Sequence, residues 1–257
     1  MVRPKKRFGQ HFLKSKGVVQ KIADALEITP SDTVVEIGPG TGVLTEELLS
    51  RKPKKLIALE VDRDLIEPLK EKFKDFPNFE LLNADATKVD FCALGKPLKL
   101  AGNLPYNVGS LIVLNTVYAK DCVDRAVYML QKEVAERLTL KHKKPSWLGV
   151  FLNTFFDTEY LMSVPARFFY PPPKVTSAVI RIKPKEEQPT FELDDYRNFL
   201  EKLFSERRKM LKSKLPAEVL LKASVNPTAR VEELTLEDFI NLYKTYREYR
   251  KDKNLKS

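Results

Sequence analysis

The sequence predicts an α/β fold: a parallel sheet covered by helices on both faces, completed by an antiparallel strand and followed by a small all-helical domain. Three observations predict it. Short apolar runs, the first of them β-branched, alternate with stretches of helical apolar spacing as far as Leu140. Two strand-like runs then follow one another with only a proline-rich loop between them. Beyond Pro189 every apolar pattern has helical spacing.

Taken in order, Val18, Val19, Ile22, Ala25 and Leu26 share one helical face. Thr33 to Ile37 reads as a strand, and Val43 to Leu49, after a glycine-rich turn, as a helix. Leu56 to Leu59 is a second strand, Asp64 to Phe73 a helix and Phe79 to Leu82 a third strand. Leu98 to Ala101 is a fourth strand, with a helix from Leu111 to Tyr118. Ala126 to Leu130 is a fifth, with a helix from Lys132 to Leu140. This alternation means a parallel sheet. Trp147 to Phe156 reads as a helix. The strands Glu159 to Val164 and Val175 to Ile182 have no crossover helix between them, which makes them antiparallel neighbours. Seven strands with the last antiparallel resemble the Rossmann-like sheet of a class I methyltransferase. Residues 184–189 form a polar linker. Tyr196 to Phe204, Ala217 to Leu221 and Leu236 to Tyr246 then read as helices. The chain divides into a sheet domain over residues 1–184 and a helical domain over residues 190–257.

At 257 residues there is room for one full α/β domain and a smaller appendage. No apolar run approaches the roughly 20 residues of a membrane span. Two cysteines, Cys92 and Cys122, and two histidines form no metal-ligand pattern, so no metal is expected and a reducing cytoplasm is the default compartment. The net charge of +10 is unevenly placed: Met1 to Lys21 carries seven basic residues and no acid. A second cluster comprises Arg207, Arg208, Lys209, Lys212 and Lys214 in a stretch read as helical, and a third runs from Arg247 to Lys256. One-sided charge of this kind fits a polyanion. The first two clusters make Lys5, Lys6, Arg7, Arg207, Arg208 and Lys209 the candidate polyanion contacts; charge alone does not say which polyanion, and it is the resemblance given below that implies RNA.

The strand ends carry the chemistry. Glu36 to Gly42 reads EIGPGTG, whose glycines Gly38, Gly40 and Gly42 let backbone pass close to a ligand. The third glycine of a diphosphate-binding GxGxxG is replaced by Val43, which disfavours a nicotinamide oxidoreductase. Glu36 suits a cationic or zwitterionic ligand better than a pyrophosphate. Glu60 ends the second strand where an acid accepts ribose hydroxyls, and Asp85 follows the third where an adenine amino group is read. AGNLPYNV, Ala101 to Val108, closes the fourth strand. The Asn103 amide oxygen and the Leu104 carbonyl are two acceptors for an adenine N6 amine. Holding both its hydrogens turns the nitrogen lone pair toward a methyl sulfonium. Pro105 fixes that aim, and Tyr106 offers a stacking face for which the ring alone suffices.

These residues resemble the KsgA family of small-subunit ribosomal RNA adenine N6-dimethyltransferases. The motifs are RFGQHFL (Arg7 to Leu13), VEIGPGTGVLTEEL (Val35 to Leu48), LEVDRDL (Leu59 to Leu65), NADA (Asn83 to Ala86), GNLPYNV, LQKEVAERL (Leu130 to Leu138), FFYPPPKVTSAVIR (Phe168 to Arg181) and FSERRKML (Phe204 to Leu211). The resemblance implies S-adenosylmethionine as methyl donor and two adjacent adenosines of the 3′-terminal 16S rRNA hairpin as acceptors. The substrate would be a pre-mature small ribosomal subunit and the enzyme a cytoplasmic monomer. It implies that Gln10, His11 and Leu13 cover the donor and that Gly38 and Gly40 line its methionine part. Glu60 would hold the ribose, and Asp85 with Ala86 the adenine. Asn103 would span donor and target, with Phe169 facing the target base opposite Tyr106. His11 and Ser213 stand where many members carry Asn. A 23S rRNA adenine methylase and a non-catalytic subunit-assembly factor are the competing readings.

Overall fold

The computed structural model describes residues 4–141 and 144–254. Arg3 and Lys256 of the basic clusters, and the outermost residues of both predicted domains, lie outside them. In chain order the elements are β1 (Phe12–Leu13), α1 (Lys16–Leu26), β2 (Thr33–Ile37), α2 (Val43–Ser50), β3 (Lys55–Glu60), α3 (Arg63–Lys72) and β4 (Phe79–Asn83). Next come β5 (Leu98–Asn103), α4 (Gly109–Tyr118), β6 (Val123–Gln131), α5 (Lys132–Leu138), α6 (Trp147–Phe155), β7 (Phe156–Val164), β8 (Phe169–Tyr170) and β9 (Ser177–Pro184). The chain continues with α7 (Leu193–Ser205), α8 (Ala217–Lys222) and α9 (Leu236–Asn254).

Seven strands form one sheet in the order β4-β3-β2-β5-β6-β9-β7. Strands β2 to β6 pair in parallel, and β9 inserts antiparallel between β6 and β7. Helices cover both faces, so the central strands bury nearly every residue, as Val34, Val35, Leu56, Ile57, Leu100, Val127 and Met129 do. Two cations are buried among them and both tie the end of α1 to the sheet. Lys99 Nζ meets Asp32 at 2.8 Å and the Glu27 carbonyl at 2.6 Å. Arg125 meets Glu27 at 2.5 Å and the Ala25 carbonyl at 3.0 Å. Chain order reverses between β2 and β5. Loops leaving the ends of those strands diverge there, and a crevice opens.

The C-terminal helices pack on α6 through aromatic rings, and one apolar core runs from the sheet into them. Phe151 meets Tyr196 at 5.9 Å between ring centres, and Tyr196 meets Tyr243 at 4.6 Å. Helix α7 stops at Ser205, so Arg207, Arg208 and Lys209 lie in a turn, a correction to the helical reading. Apolar spacing ends at Phe204, and nothing in the sequence of charges that follows marks the break. No helix among the described residues is long and apolar enough to cross a membrane.

Cys92 and Cys122 form a disulfide across 30 residues of chain, which the reading of a reducing compartment gave no reason to expect. Closing a loop of that length stabilises the fold by about 3–4 kcal/mol through the unfolded state. Replacing both cysteines by serine should therefore lower the denaturant midpoint, and excess reductant should shift the native protein to the same value. Unfolding titrations with and without reductant check this.

Candidate active site

The crevice lies at the C-terminal ends of β2 to β5. Its volume is about 700 Å³, and it is lined by the Phe8–Phe12 segment, Gly38, Gly40, Glu60, Val61, Asp85, Ala86 and the stretch Asn103 to Tyr106. Largely apolar walls with a few convergent polar groups suit a nucleoside-type ligand. An adjoining arm of about 330 Å³ shares Phe12, Gly38, Gly40 and Asn103 with the crevice and is lined as well by Glu36, Leu13 and Leu44.

Gly38 and Gly40 both take left-handed backbone, at φ 66° and 60°. A side chain on Gly40 would meet the Phe12 ring at 3.1 Å and fill the cradle. The Gly38 N–H donates to the Leu59 carbonyl at 2.9 Å, which turns the loop over the end of β3. Glu60 is buried there and accepts the N–H groups of Asp62 at 2.9 Å and Gly40 at 3.3 Å. Burial raises its carboxyl above the ordinary range. Asp85 caps its own turn, accepting Thr87 N–H at 3.0 Å and the Thr87 hydroxyl at 2.7 Å. Asn115 of α4 donates to the Ala86 and Val89 carbonyls at 2.8 Å each and pins that turn. Sequence reasoning missed Asn115, whose α4 spacing looks merely structural.

Glu36 is 1% exposed, and its Oε2 has no partner among the described residues. Burial first, then the Glu60 charge, pushes its carboxyl up to about 8. An orphaned buried carboxyl lining a ligand arm fits a cationic group. Because the folded value is raised, its contribution to stability is full below the usual carboxylate range and is lost as pH rises to about 8. The ligand-free protein should lose up to about 1.4 kcal/mol per pH unit across that window through this residue. Glu36→Gln should flatten the dependence. Denaturant titrations of both proteins from pH 5 to 8 test it, and parallel curves would remove Glu36 as the source.

The GNLPY stretch leaves β5 beside this arm. Gly102 has no room for a side chain, since a Cβ would lie 2.7 Å from the Ile37 carbonyl. Asn103 Nδ2 donates to the His11 carbonyl at 2.9 Å. A carbonyl only accepts, so the amide is fixed with Oδ1 turned the other way. The Leu104 N–H is used by Met129 at 3.0 Å, while its carbonyl accepts no hydrogen bond from the described residues. The Tyr106 hydroxyl bonds the buried Ser177 hydroxyl, a contact the sequence reading of the ring as a stacking face did not include. One face of Tyr106 is covered by the His11 ring at 5.2 Å and 29°. His11 Nδ1 lies 2.9 Å from the Pro171 carbonyl and must carry the hydrogen.

Several predicted residues are placed differently. Phe169 is 1% exposed and packs in the core with Leu13, Val164 and Val179; it lines neither the crevice nor its arm. Strand alternation turns it inward because β8 pairs with β1, Leu13 opposite Phe169. Lys5 is committed to Asp62 at 2.7 Å and Asp64 at 2.5 Å and is corrected from an RNA contact to a clasp. Gln10 completes that clasp, accepting the Lys5 N–H at 2.7 Å and donating to Asp62 at 3.0 Å. Lys6, Arg7 and Arg208 are exposed. Arg207 and Lys209 pair with Glu232 at 3.9 Å and Glu206 at 2.6 Å.

A switch-point crevice with an acid at the end of β3, under a sheet completed by an inserted antiparallel strand, defines a class I S-adenosylmethionine-dependent methyltransferase. The chain resembles a dimethyladenosine transferase from Plasmodium falciparum (TM-score 0.81, 28% identity, 93% of this chain and 98% of that one). It also resembles the 23S rRNA methyltransferase ErmE (TM-score 0.75, 29% identity, 91% and 98%). Ribosomal RNA small subunit methyltransferase A of Persephonella marina is 53% identical over 256 residues, 97% of this chain and 96% of that one. The protein of the same name from Coxiella burnetii is 38% identical over 249 residues, 93% and 96%. A family model described as ribosomal RNA adenine dimethylase matches residues 1–248. The chain belongs to the ribosomal RNA adenine dimethylase family and is a methyltransferase acting on adenine in ribosomal RNA.

Proposed function

We propose that the chain dimethylates N6 of two adjacent adenosines in the 3′-terminal hairpin of 16S rRNA, on a pre-mature small subunit, as a cytoplasmic monomer. The observation that carries the chemistry is the fixed Asn103 amide. With Nδ2 held by His11, Oδ1 and the free Leu104 carbonyl are two acceptors at the end of β5. In the first transfer they take the two N6 hydrogens and in the second the one that remains, which turns the nitrogen lone pair toward the nucleoside crevice. S-adenosylmethionine would supply a methyl carbon made electrophilic by its sulfonium, the new N–C bond replacing the S–CH3 bond as S-adenosylhomocysteine leaves.

The remaining residues bind and orient. Glu60 accepts the ribose hydroxyls, and Asp85, beside Ala86, accepts from the donor adenine. Gly38 and Gly40 admit the methionine part into the arm that Glu36 lines. Gln10, His11 and Leu13 close over it from the N-terminal segment. Tyr106, braced by Ser177, supplies the aromatic wall for the target base. The methylated amine loses its proton to water, so no ionisable base is required. Lys6, Arg7 and the turn at Arg207 to Lys209 meet RNA phosphates, with Arg208 the least committed of these three.

Small subunits isolated before methylation, incubated with enzyme and isotope-labelled donor, test the reading by mass spectrometry of the RNA. The expected product is dimethyladenosine at two neighbouring positions of small-subunit RNA. Label confined to large-subunit RNA would replace the substrate with 23S rRNA. Tight subunit binding without label would make the protein an assembly factor.

A further inference from the structure

Beside the donor crevice lies a second cleft of about 680 Å³, lined by Pro4, Lys6, Gly9, Gln10, His11, Tyr170 and Pro171. It shares Gly9, Gln10 and His11 with the first, and no acidic side chain lines it. Its outer wall is Tyr170, the outward residue of β8, which is 56% exposed. More than half of this tyrosine is in solvent, and its hydroxyl carries no hydrogen bond to the described residues. Two cations flank it. Lys14 Nζ is 6.0 Å from the ring centre, and Lys6 lines the floor. Both lysines are exposed, and neither has an ion-pair partner among the described residues.

The position relative to the target site is set by His11. Its ring stacks on Tyr106 at 5.2 Å, and its Nδ1 holds the carbonyl of Pro171, the residue after Tyr170. Tyr106 and the Tyr170–Pro171 segment are thus both tied to His11, one through its ring and the other through a hydrogen bond at Nδ1. An exposed ring with unpaired lysines is the arrangement that takes a nucleic-acid base on its face and the attached phosphate on the cations.

We propose that Tyr170 is the stacking platform for the unpaired nucleotide next to the target adenosine, with Lys6 and Lys14 on its phosphate. This rests on the reading that the target base enters at Asn103 and Tyr106. It gives the pair of adenosines two separate seats, so that the nucleotide not being methylated is held beside the one that is.

The test uses the full chain and a hairpin RNA with two adjacent adenosines, one replaced by the fluorescent base 2-aminopurine. Stacking on Tyr170 should quench the probe on binding to the native protein and to Tyr170→Phe, and leave it bright on Tyr170→Ala. On small subunits, Tyr170→Ala should raise the RNA concentration for half-maximal rate about tenfold, the worth of one base stack, with kcat and donor affinity little changed. Tyr170→Phe should restore native values. Equal quenching by all three proteins, or an unchanged KM for Tyr170→Ala, overturns the platform. If the native protein methylates neither adenosine, the target-site reading fails and the platform with it. Methylation that proceeds with an indifferent Tyr170 removes the platform alone.

Discussion

Asn103→Ala should slow methyl transfer to RNA about a hundredfold or more, with RNA affinity changed severalfold at most. The asymmetry follows from where the hydrogen bond acts. One neutral hydrogen bond is worth about 0.5–1.5 kcal/mol in binding. An acceptor aimed at charge that develops on the amine during attack is worth more in the transition state, in the range of about 2.7–4 kcal/mol seen for comparable donors. Because Nδ2 also holds the His11 carbonyl at 2.9 Å, the alanine variant loosens the cover over the donor, so donor affinity must be measured alongside the rate. Asn103→Asp separates the two roles. It keeps an acceptor toward the amine but sets a second oxygen against the His11 carbonyl, and it should fall between alanine and the native residue. Single-turnover assays on subunits with saturating donor make the comparison. A fast alanine variant would sink the proposed acceptor site.

Glu60→Ala should weaken S-adenosylmethionine binding at least tenfold. Two charge-assisted hydrogen bonds to ribose hydroxyls are lost, each worth about 1.5–3 kcal/mol before the vacated space rehydrates. Part of the effect is indirect, since the same carboxylate organises the glycine loop through Gly40 N–H at 3.3 Å and the start of α3 through Asp62 N–H at 2.9 Å. Glu60→Gln retains the shape and one acceptor, and should lose less. Calorimetric titration gives the affinities, and thermal unfolding without donor shows whether the loop itself has failed. Unchanged affinity in the alanine variant would place the ribose elsewhere.

The sheet is readable because its central strands are buried on both faces and their apolar runs end in polar residues. The reading of Thr33 to Ile37 as a strand agrees with β2 to the residue, Glu60 and Asn103 end β3 and β5, and Asp85 lies two residues beyond the end of β4. What escaped was whatever depends on distant residues meeting. A two-residue strand such as β1 or β8 has no alternation to read, so the inward turn of Phe169 and the outward turn of Tyr170 were invisible. Lys5 looked like free positive charge because its acids, Asp62 and Asp64, lie far along the chain. Cys92 and Cys122 have no motif spacing; the short approach to β6 brings them together. Glu36 was noticed for its sign of charge, whereas its burial and orphaned oxygen are properties of the packed state alone.

The crevice wall is made of two kinds of chain. Val61, 43% exposed, and Asp85 line it from the segments that follow β3 and β4, whereas Gly9, Gln10 and His11 line both it and the cleft at Tyr170. That N-terminal segment is fastened by Lys5 and Gln10 to the α3 turn, by the His11 carbonyl to Asn103 and by β1 to β8. On the proposed reading every methyl group after the first needs the spent donor to leave and a fresh one to arrive. A donor exchanged on the Val61 side would leave the fastened segment, and an RNA seated against it, in place.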